Sequence, residues 1–308
     1  MQQLPKIPKE MFETAGIDRA QAEKIEKPSL SFWQDVFIRF RKNKLAMFGV
    51  VLMVLLVFMA IFGPLMVKYD YATNDLLNAN QAPSSEHWFG TDELGRDVFA
   101  RTWEGARISL FIGLAAALID LFIGVVWGSI SGYRGGRTDE TMMRVADILY
   151  GVPYLLLVII LMVMLGQGLG TMILAMTITG WINMARIVRG QVLQLKNQEY
   201  VMASQTLGAT TKRILFKHLI PNATGPILVT MTLTIPSAIF TEAFLSYLGL
   251  GVPAPLASWG TMASEGLPAL EYYPWRLFFP GLFICLTILA FNVIGDGLRD
   301  ALDPKLRK

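Results

Sequence analysis

The sequence holds a single cysteine, Cys285, so no disulfide closes within it and no set of thiolates is available for a metal. Charge is also scarce. Charged residues make up 17% of the 308, against about a quarter in ordinary soluble domains, and that shortfall excludes a soluble globular domain. The 27 basic and 24 acidic residues leave a formal net charge of +3, which gives no strong field for nucleic acid. No Gly-x4-Gly-Lys-Ser/Thr loop is present, and Arg134-Gly135-Gly136-Arg137 lacks both its spacing and its lysine. The chain is therefore not expected to hydrolyse ATP itself. Its long apolar runs contain neither a nucleophile with a base nor a metal cluster, which argues against an intramembrane enzyme, and no catalytic or metal residues are assigned.

What is abundant is apolar sequence: 53% of residues are hydrophobic and the mean hydropathy is +0.46. Six runs are long enough for a hydrocarbon core about 30 Å thick, which takes roughly 20 helical residues. They lie at Leu45–Val67, Ile108–Tyr133, Ile148–Leu165, Gly168–Val188, Ala223–Leu245 and Leu277–Gly295. Gly113, Gly124, Pro153, Pro226, Pro236 and Pro280 interrupt them, as helices packed on one another in a membrane tolerate. The expected fold is an all-α integral membrane bundle of six spans. Residues 1–44 are polar, so no cleaved secretory signal is expected.

Lysine and arginine set the orientation, because positive flanks are retained in the cytoplasm. The arm 1–44 carries Lys6, Lys9, Arg19, Lys24, Lys27, Arg39, Arg41, Lys42 and Lys44. Arg134, Arg137 and Arg144 follow the second run, Arg186, Arg189, Lys196, Lys212, Arg213 and Lys217 follow the fourth, and Arg299, Lys305, Arg307 and Lys308 close the chain. Loop 68–106 is mainly acidic and 246–275 has no lysine or arginine. This gives a cytoplasmic arm 1–44, a membrane domain 45–298 and a cytoplasmic tail 299–308, both termini inside.

Within the arm, Trp33, Val36, Phe37 and Phe40 recur at helical spacing, which fits a helix in the headgroup layer or one packed on the bundle. Trp259, Tyr272, Tyr273 and Trp275 in loop 246–275 read as an interfacial aromatic belt. His87 and His218 fall on opposite sides of the membrane and cannot share a metal. His87 sits beside Asp92, Glu93 and Asp97 at a spacing that fits no calcium loop. A structural turn bent by Gly90 and Gly95, with Arg96 paired to a carboxylate, is expected there, and His218 is read as part of the fold. Asp120 and Glu242 lie at membrane depth, where ionisable groups are costly and become candidates for a translocation pathway. A pairing with Arg107 or with a neighbouring hydroxyl is the alternative.

The link between the fourth and fifth runs, 190–222, is too long for a simple connection. Asn197 can cap a helix, Glu199 sits in its first turn where the dipole favours a carboxylate, and Gly208 supplies a left-handed stop. A second short helix is expected from Thr211 to Leu219, ended by Pro221. Small Ala203, Ser204, Gly208 and Ala209 would let another surface approach closely.

Glu199, Ala203, Gly208 and the Ile214–Pro221 stretch together resemble the "EAA" coupling loop of permeases in ATP-binding cassette importers. Further stretches are similar to the second permease subunit of dipeptide and oligopeptide importers: HWFGTDELGRD at 87–97, ARIVRGQVL at 185–193, KHLIPN at 217–222 and EAFLSYLGLG at 242–251. The likeness covers about 32 to 305; Ser204, where the loop's nickname has a second alanine, is a mild departure. The resemblance implies the type I importer permease fold, a homologous second permease, two ATPase subunits and an extracytoplasmic binding protein. ATP and Mg would be held by the ATPases and no cofactor by this chain. It also implies a bacterial or archaeal cytoplasmic membrane, and a coupling role for Glu199, Ala203, Ser204, Gly208 and Ala209. The solute implied is a dipeptide or oligopeptide, with nickel, glutathione or another small solute as alternatives within the class. An ion-coupled secondary transporter would need more midplane ionisable groups than Asp120 and an internal repeat.

Overall fold

The computed structural model describes residues 31–303. The basic residues of 1–30 and Lys305, Arg307 and Lys308 lie outside them. Among the described residues the chain is mostly helical, with a largely irregular loop at 66–97 and one isolated bridge within it, between Thr91 and Asp97, in place of any sheet.

Helix α1, Phe32–Lys42, starts at a capping box in which Ser31 accepts from the Gln34 backbone and Gln34 returns the bond. Its apolar residues divide. Val36 and Phe40 pack on Ala301, Leu302 and Leu298 at the bundle's end, while Trp33 and Phe37 stay exposed. The stripe is thus divided between the bundle and an exposed face. Asn43 then accepts from the Leu45 and Ala46 backbone amides and starts α2, Lys44–Phe62.

Helix α3, Val98–Arg134, is the longest at 37 residues and begins about ten residues before its expected start. Asp97 sets that start by accepting from the Ala100 amide at 2.7 Å. Gly124, Gly128 and Gly132 line one face of α3 at intervals of four. They bring its backbone against α6, Leu169–Leu195. A Cβ on Gly128 would run into the Ala185 carbonyl and the side chain of Val188, so the two helices touch almost backbone to backbone. This is the most extensive helix pair in the molecule.

The third expected run, Ile148–Leu165, is bent within itself. Helix α4, Gly136–Gly151, and helix α5, Tyr154–Leu165, meet at 81°. Val152 is extended ahead of Pro153, as the proline ring requires of its predecessor. The 12 residues of α5 reach about 18 Å, less than a hydrocarbon core. Among the described residues, five helices are long and apolar enough to cross a membrane, or six if the bent pair counts as one span.

Helix α7, Glu199–Thr206, follows α6. Helix α8, Thr211–Ile214, then runs through a wide turn at Leu215–Leu219 into α9, Ile220–Leu245, without a break. Pro221 therefore does not end a helix, contrary to expectation. In the wide turn the Ile220 amide bonds back to Leu215, five residues earlier, and the slack accommodates the proline ring. Helix α10, Trp259–Gly266, folds beneath the far end, and α11, Trp275–Leu302, closes the bundle against α2, α9 and α10.

The end opposite α7 is clasped by ions. The Asp92 carboxylate accepts from the Leu94 and Arg96 amides at 2.9 Å each and from Arg96 Nε at 2.7 Å, with Arg101 Nε at 3.3 Å. Arg101 reaches on to Glu265 of α10 at 2.9 Å, and Arg276 of α11 pairs with Glu93. Gly95 turns the chain in the left-handed region, pressed so close to Asp75 that no Cβ would fit. His87 Nδ1 lies 2.8 Å from Asp97 Oδ2, completing the turn expected of this segment. No group of metal-ligating residues occurs among the described residues.

The aromatic-belt reading fails for Trp259, which is fully buried and donates Nε1–H to the Thr102 carbonyl at 2.9 Å. Trp275 likewise donates to the Thr91 carbonyl, whereas Tyr272 is exposed. Folding of the loop into α10 carries the indole inward, which composition alone does not reveal.

Two pairs of substitutions test this packing. Asp92→Asn takes the shared carboxylate from two buried guanidinium groups, which keep only the partly exposed Glu265, and should cost about 2–3 kcal/mol, whereas Arg39→Ala, which removes the half-exposed pair with Asp35, should cost under about 1 kcal/mol. Thermal unfolding of purified protein followed by tryptophan fluorescence measures both. Gly128→Leu should abolish accumulation of folded protein, while Gly170→Leu, where the added carbons meet open space, should accumulate normally by fluorescence size exclusion.

Candidate functional site

Helix α7 projects from the junction of α6 and α9. Its start is set by extended Gln198, which makes no side-chain cap, and Glu199 occupies the first turn. Asn197 is not the cap; its amide donates instead to the Leu193 carbonyl of α6. The stop is built as expected. Gly208, at φ +79°, lets its own amide reach the Gln205 carbonyl at 2.9 Å and the Ala209 amide reach Ser204 at 3.0 Å. That pair of bonds closes the helix in the 6→1, 5→2 pattern that satisfies its last carbonyls.

One side chain anchors this short helix from beneath. Val201 is fully buried and joins Met184, Val188 and Val192 of α6, Ile214 and Leu215, and Ala223 and Ile227 of α9 in one cluster. Burying a valine side chain stabilises by roughly 1.5–3 kcal/mol. Ser204 Oγ lies 3.4 Å from His218 Nε2, which places His218 between α7 and the start of α9. Behind it, Lys196 donates to the Gly132 carbonyl at 2.8 Å, and Arg189 grips Asp139 of α4 through two bonds of 2.6 Å. Glu199, Ala203 and Gly208 are exposed, Ser204 and Ala209 half-buried, and Leu207 is 88% exposed at the tip. The result is a stiff base under an outward surface of small and apolar groups.

A cavity of about 660 Å³ opens between α3, the α4–α5 bend, α6 and α9. Asp120 lines it. The residue is 6% exposed, and among the described residues its carboxylate has no hydrogen-bond or ion-pair partner, with Oδ1 sealed from solvent. Gly180 of α6 leaves the room this carboxylate fills. Arg107 is not its counter-ion: it donates to the Ala60 and Ile61 carbonyls at 2.6 and 2.8 Å and to Glu104 at 2.7 Å.

Glu242, paired with Asp120 as a pathway candidate in the sequence, lies elsewhere. It is fully buried, off the cavity wall, and accepts from Ser258 at 2.6 Å, Ser246 at 2.8 Å and Ser109 at 3.4 Å. The three serines come from the α10 cap, the end of α9 and α3, so this carboxylate ties those elements together. The glycine interval of α3 and the Thr230, Thr234, Ser237, Thr241 stripe of α9 escaped the sequence reading. Both are visible as spacings of three and four once those runs are taken as helices facing neighbours.

Comparison with known proteins places this geometry. Residues 124–308 match the family model described as binding-protein-dependent transport system inner membrane component, and 31–83 match the N-terminal TM domain of oligopeptide transport permease C. The chain is 74% identical over 302 residues to the oligopeptide transport system permease protein OppC of Bacillus subtilis, covering 98% of this chain and 99% of that protein. It is 58% identical to the dipeptide transport system permease protein DppC of the same organism, over 98% of this chain and 95% of that protein. To OppC of Escherichia coli K12 it is 43% identical, over 93% and 95%. Among solved structures, the inward-facing MetNI methionine ABC transporter matches with TM-score 0.54 at 20% identity, over 66% of this chain and 94% of that chain, and shares the fold. The chain belongs to the family of binding-protein-dependent transport system inner membrane components, as a non-catalytic permease subunit of an ATP-binding cassette importer.

Proposed function

We propose that this permease carries oligopeptides or dipeptides inward across a bacterial or archaeal cytoplasmic membrane, as half of a pathway completed by a homologous second permease. An extracytoplasmic binding protein delivers the solute, and two ATPase subunits, which hold the ATP and Mg, dock on α7. The peptide assignment is supported by the names of the relatives that align from end to end. The end bearing α1, α4, α7 and the close of α11 faces the cytoplasm. Its lysines and arginines support that orientation, since Arg39, Arg41, Arg134, Arg137, Lys212, Arg213 and Arg299 gather there.

The observation that carries the coupling role is the construction of α7. ATP-driven closure can move a bundle only through an element that keeps its shape under load and contacts the motor differently in two states. An eight-residue helix closed by Gly208, pinned by Val201 and backed by the Lys196 and Arg189 bonds meets that requirement. Glu199, Ala203, Ser204, Gly208 and Ala209 supply its contact surface.

Reconstitution with the partner permease, ATPases and binding protein should give ATP-dependent accumulation of a labelled peptide inside vesicles. Gly208→Val puts a β-branched residue in the left-handed region, although the space around it is open. Peptide uptake should fall by about tenfold or more while membrane insertion and subunit assembly, read by co-purification, stay unchanged. Normal uptake by Gly208→Val would contradict the coupling role.

A further inference from the structure

The wall of the cavity facing Asp120 has an unusual polarity. Thr230 donates its hydroxyl hydrogen to the Pro226 carbonyl at 2.8 Å, Thr234 to Thr230 at 2.9 Å, Ser237 to Leu233 at 3.1 Å and Thr241 to Ser237 at 2.8 Å. A hydroxyl carries one hydrogen, and here each is committed to the helix of its own residue. What the stripe can offer the cavity is therefore lone pairs. Opposite stands a carboxylate, which when ionised only accepts. Among the described residues no lysine or arginine lines the space, and Arg186, which lies over the Tyr150 ring, is held by Asp147 at 2.8 Å. Tyr150, Tyr154, Thr179 and Asn183 complete the wall.

A cavity that holds an unpaired carboxylate, with no lysine or arginine on its wall among the described residues, selects for positive charge. The α9 hydroxyls, their hydrogens committed, add acceptors beside the donors of Asn183 and the tyrosine hydroxyls. We infer that Asp120 and the α9 hydroxyl stripe form a binding site for an ammonium group of the solute in transit, such as the free amino terminus of a peptide. The ammonium supplies the counter-charge that the carboxylate lacks among the described residues, and its three donors match the carboxylate and the lone pairs of the α9 stripe. The chief structural sign is the Asp120 carboxylate itself, on the cavity wall with no partner among the described residues, since a buried carboxylate left unpaired is costly unless something outside the protein pairs it. The site deepens the import reading and rests on it for the identity of the solute.

The test uses the assembled importer in nanodiscs with Cys285→Ala and a reporter thiol introduced by Thr179→Cys on the cavity wall. An ammonium-bearing methanethiosulfonate should label the thiol about tenfold faster, relative to a neutral one of similar size, when Asp120 is present than in Asp120→Asn. An unchanged ratio overturns the inference. In vesicles, Asp120→Asn should lower uptake of a peptide with a free amino terminus about tenfold and Asp120→Glu should restore much of it. Undiminished uptake by Asp120→Asn likewise overturns it. If the labelling preference holds but wild-type vesicles take up no peptide, the ammonium site stands and the import reading fails.

Discussion

The close contact of α3 with α6 is the constraint on which the rest of the molecule depends. Three glycines at intervals of four remove side chains from one face of α3, and the α6 backbone fills the space they leave. In a membrane there is no hydrophobic drive to hold two apolar helices together, so close packing over small residues must do it. The contact stacks Asp120, Gly124, Gly128 and Gly132 along one edge of α3. The same edge that locks the pair therefore also places the carboxylate against Gly180 of α6 at the cavity.

From this pair both functional features take their positions. At one end α6 runs directly into α7, with Lys196 bonded back to the Gly132 carbonyl and Arg189 bonded to α4. Further along, the pair forms one wall of the cavity and α9 the other. Helix α9 begins in the cluster that buries Val201, so the base of α7 is shared by the two walls. On the proposed coupling role, a push on α7 would act on both walls at once, which is the mechanical condition for opening a cavity toward one side or the other. At the opposite end Glu242 and the Asp92 clasp fix α3, α9, α10 and α11 to one another.

Much of this was legible in the sequence, for identifiable reasons. Long apolar runs announced the helices because a bilayer allows few other ways to satisfy backbone groups. Glu199 and Gly208 announced α7 because dipole and left-handed stop are local effects. What the sequence did not reveal depended on tertiary context. Val152 and Pro153 bend a run that hydropathy scores as continuous, and the wide turn before Pro221 keeps a helix going where proline normally ends one. Trp259 looked interfacial until α10 carried it inward. Glu242 and Asp120 look alike as acids in apolar sequence, and only the three serines around one and the empty space beside the other separate them.

The central claim is that α7 and α3 move as one body. Spin labels on Gln205 of α7 and Phe122 of α3, both exposed, would report it by pulsed dipolar spectroscopy in a transport-competent complex lacking Cys285. The account predicts one narrow distance distribution, the same in nucleotide-free and nucleotide-trapped states. A shift or a broadening on trapping would mean that α7 swings independently of the helix pair, and would contradict it.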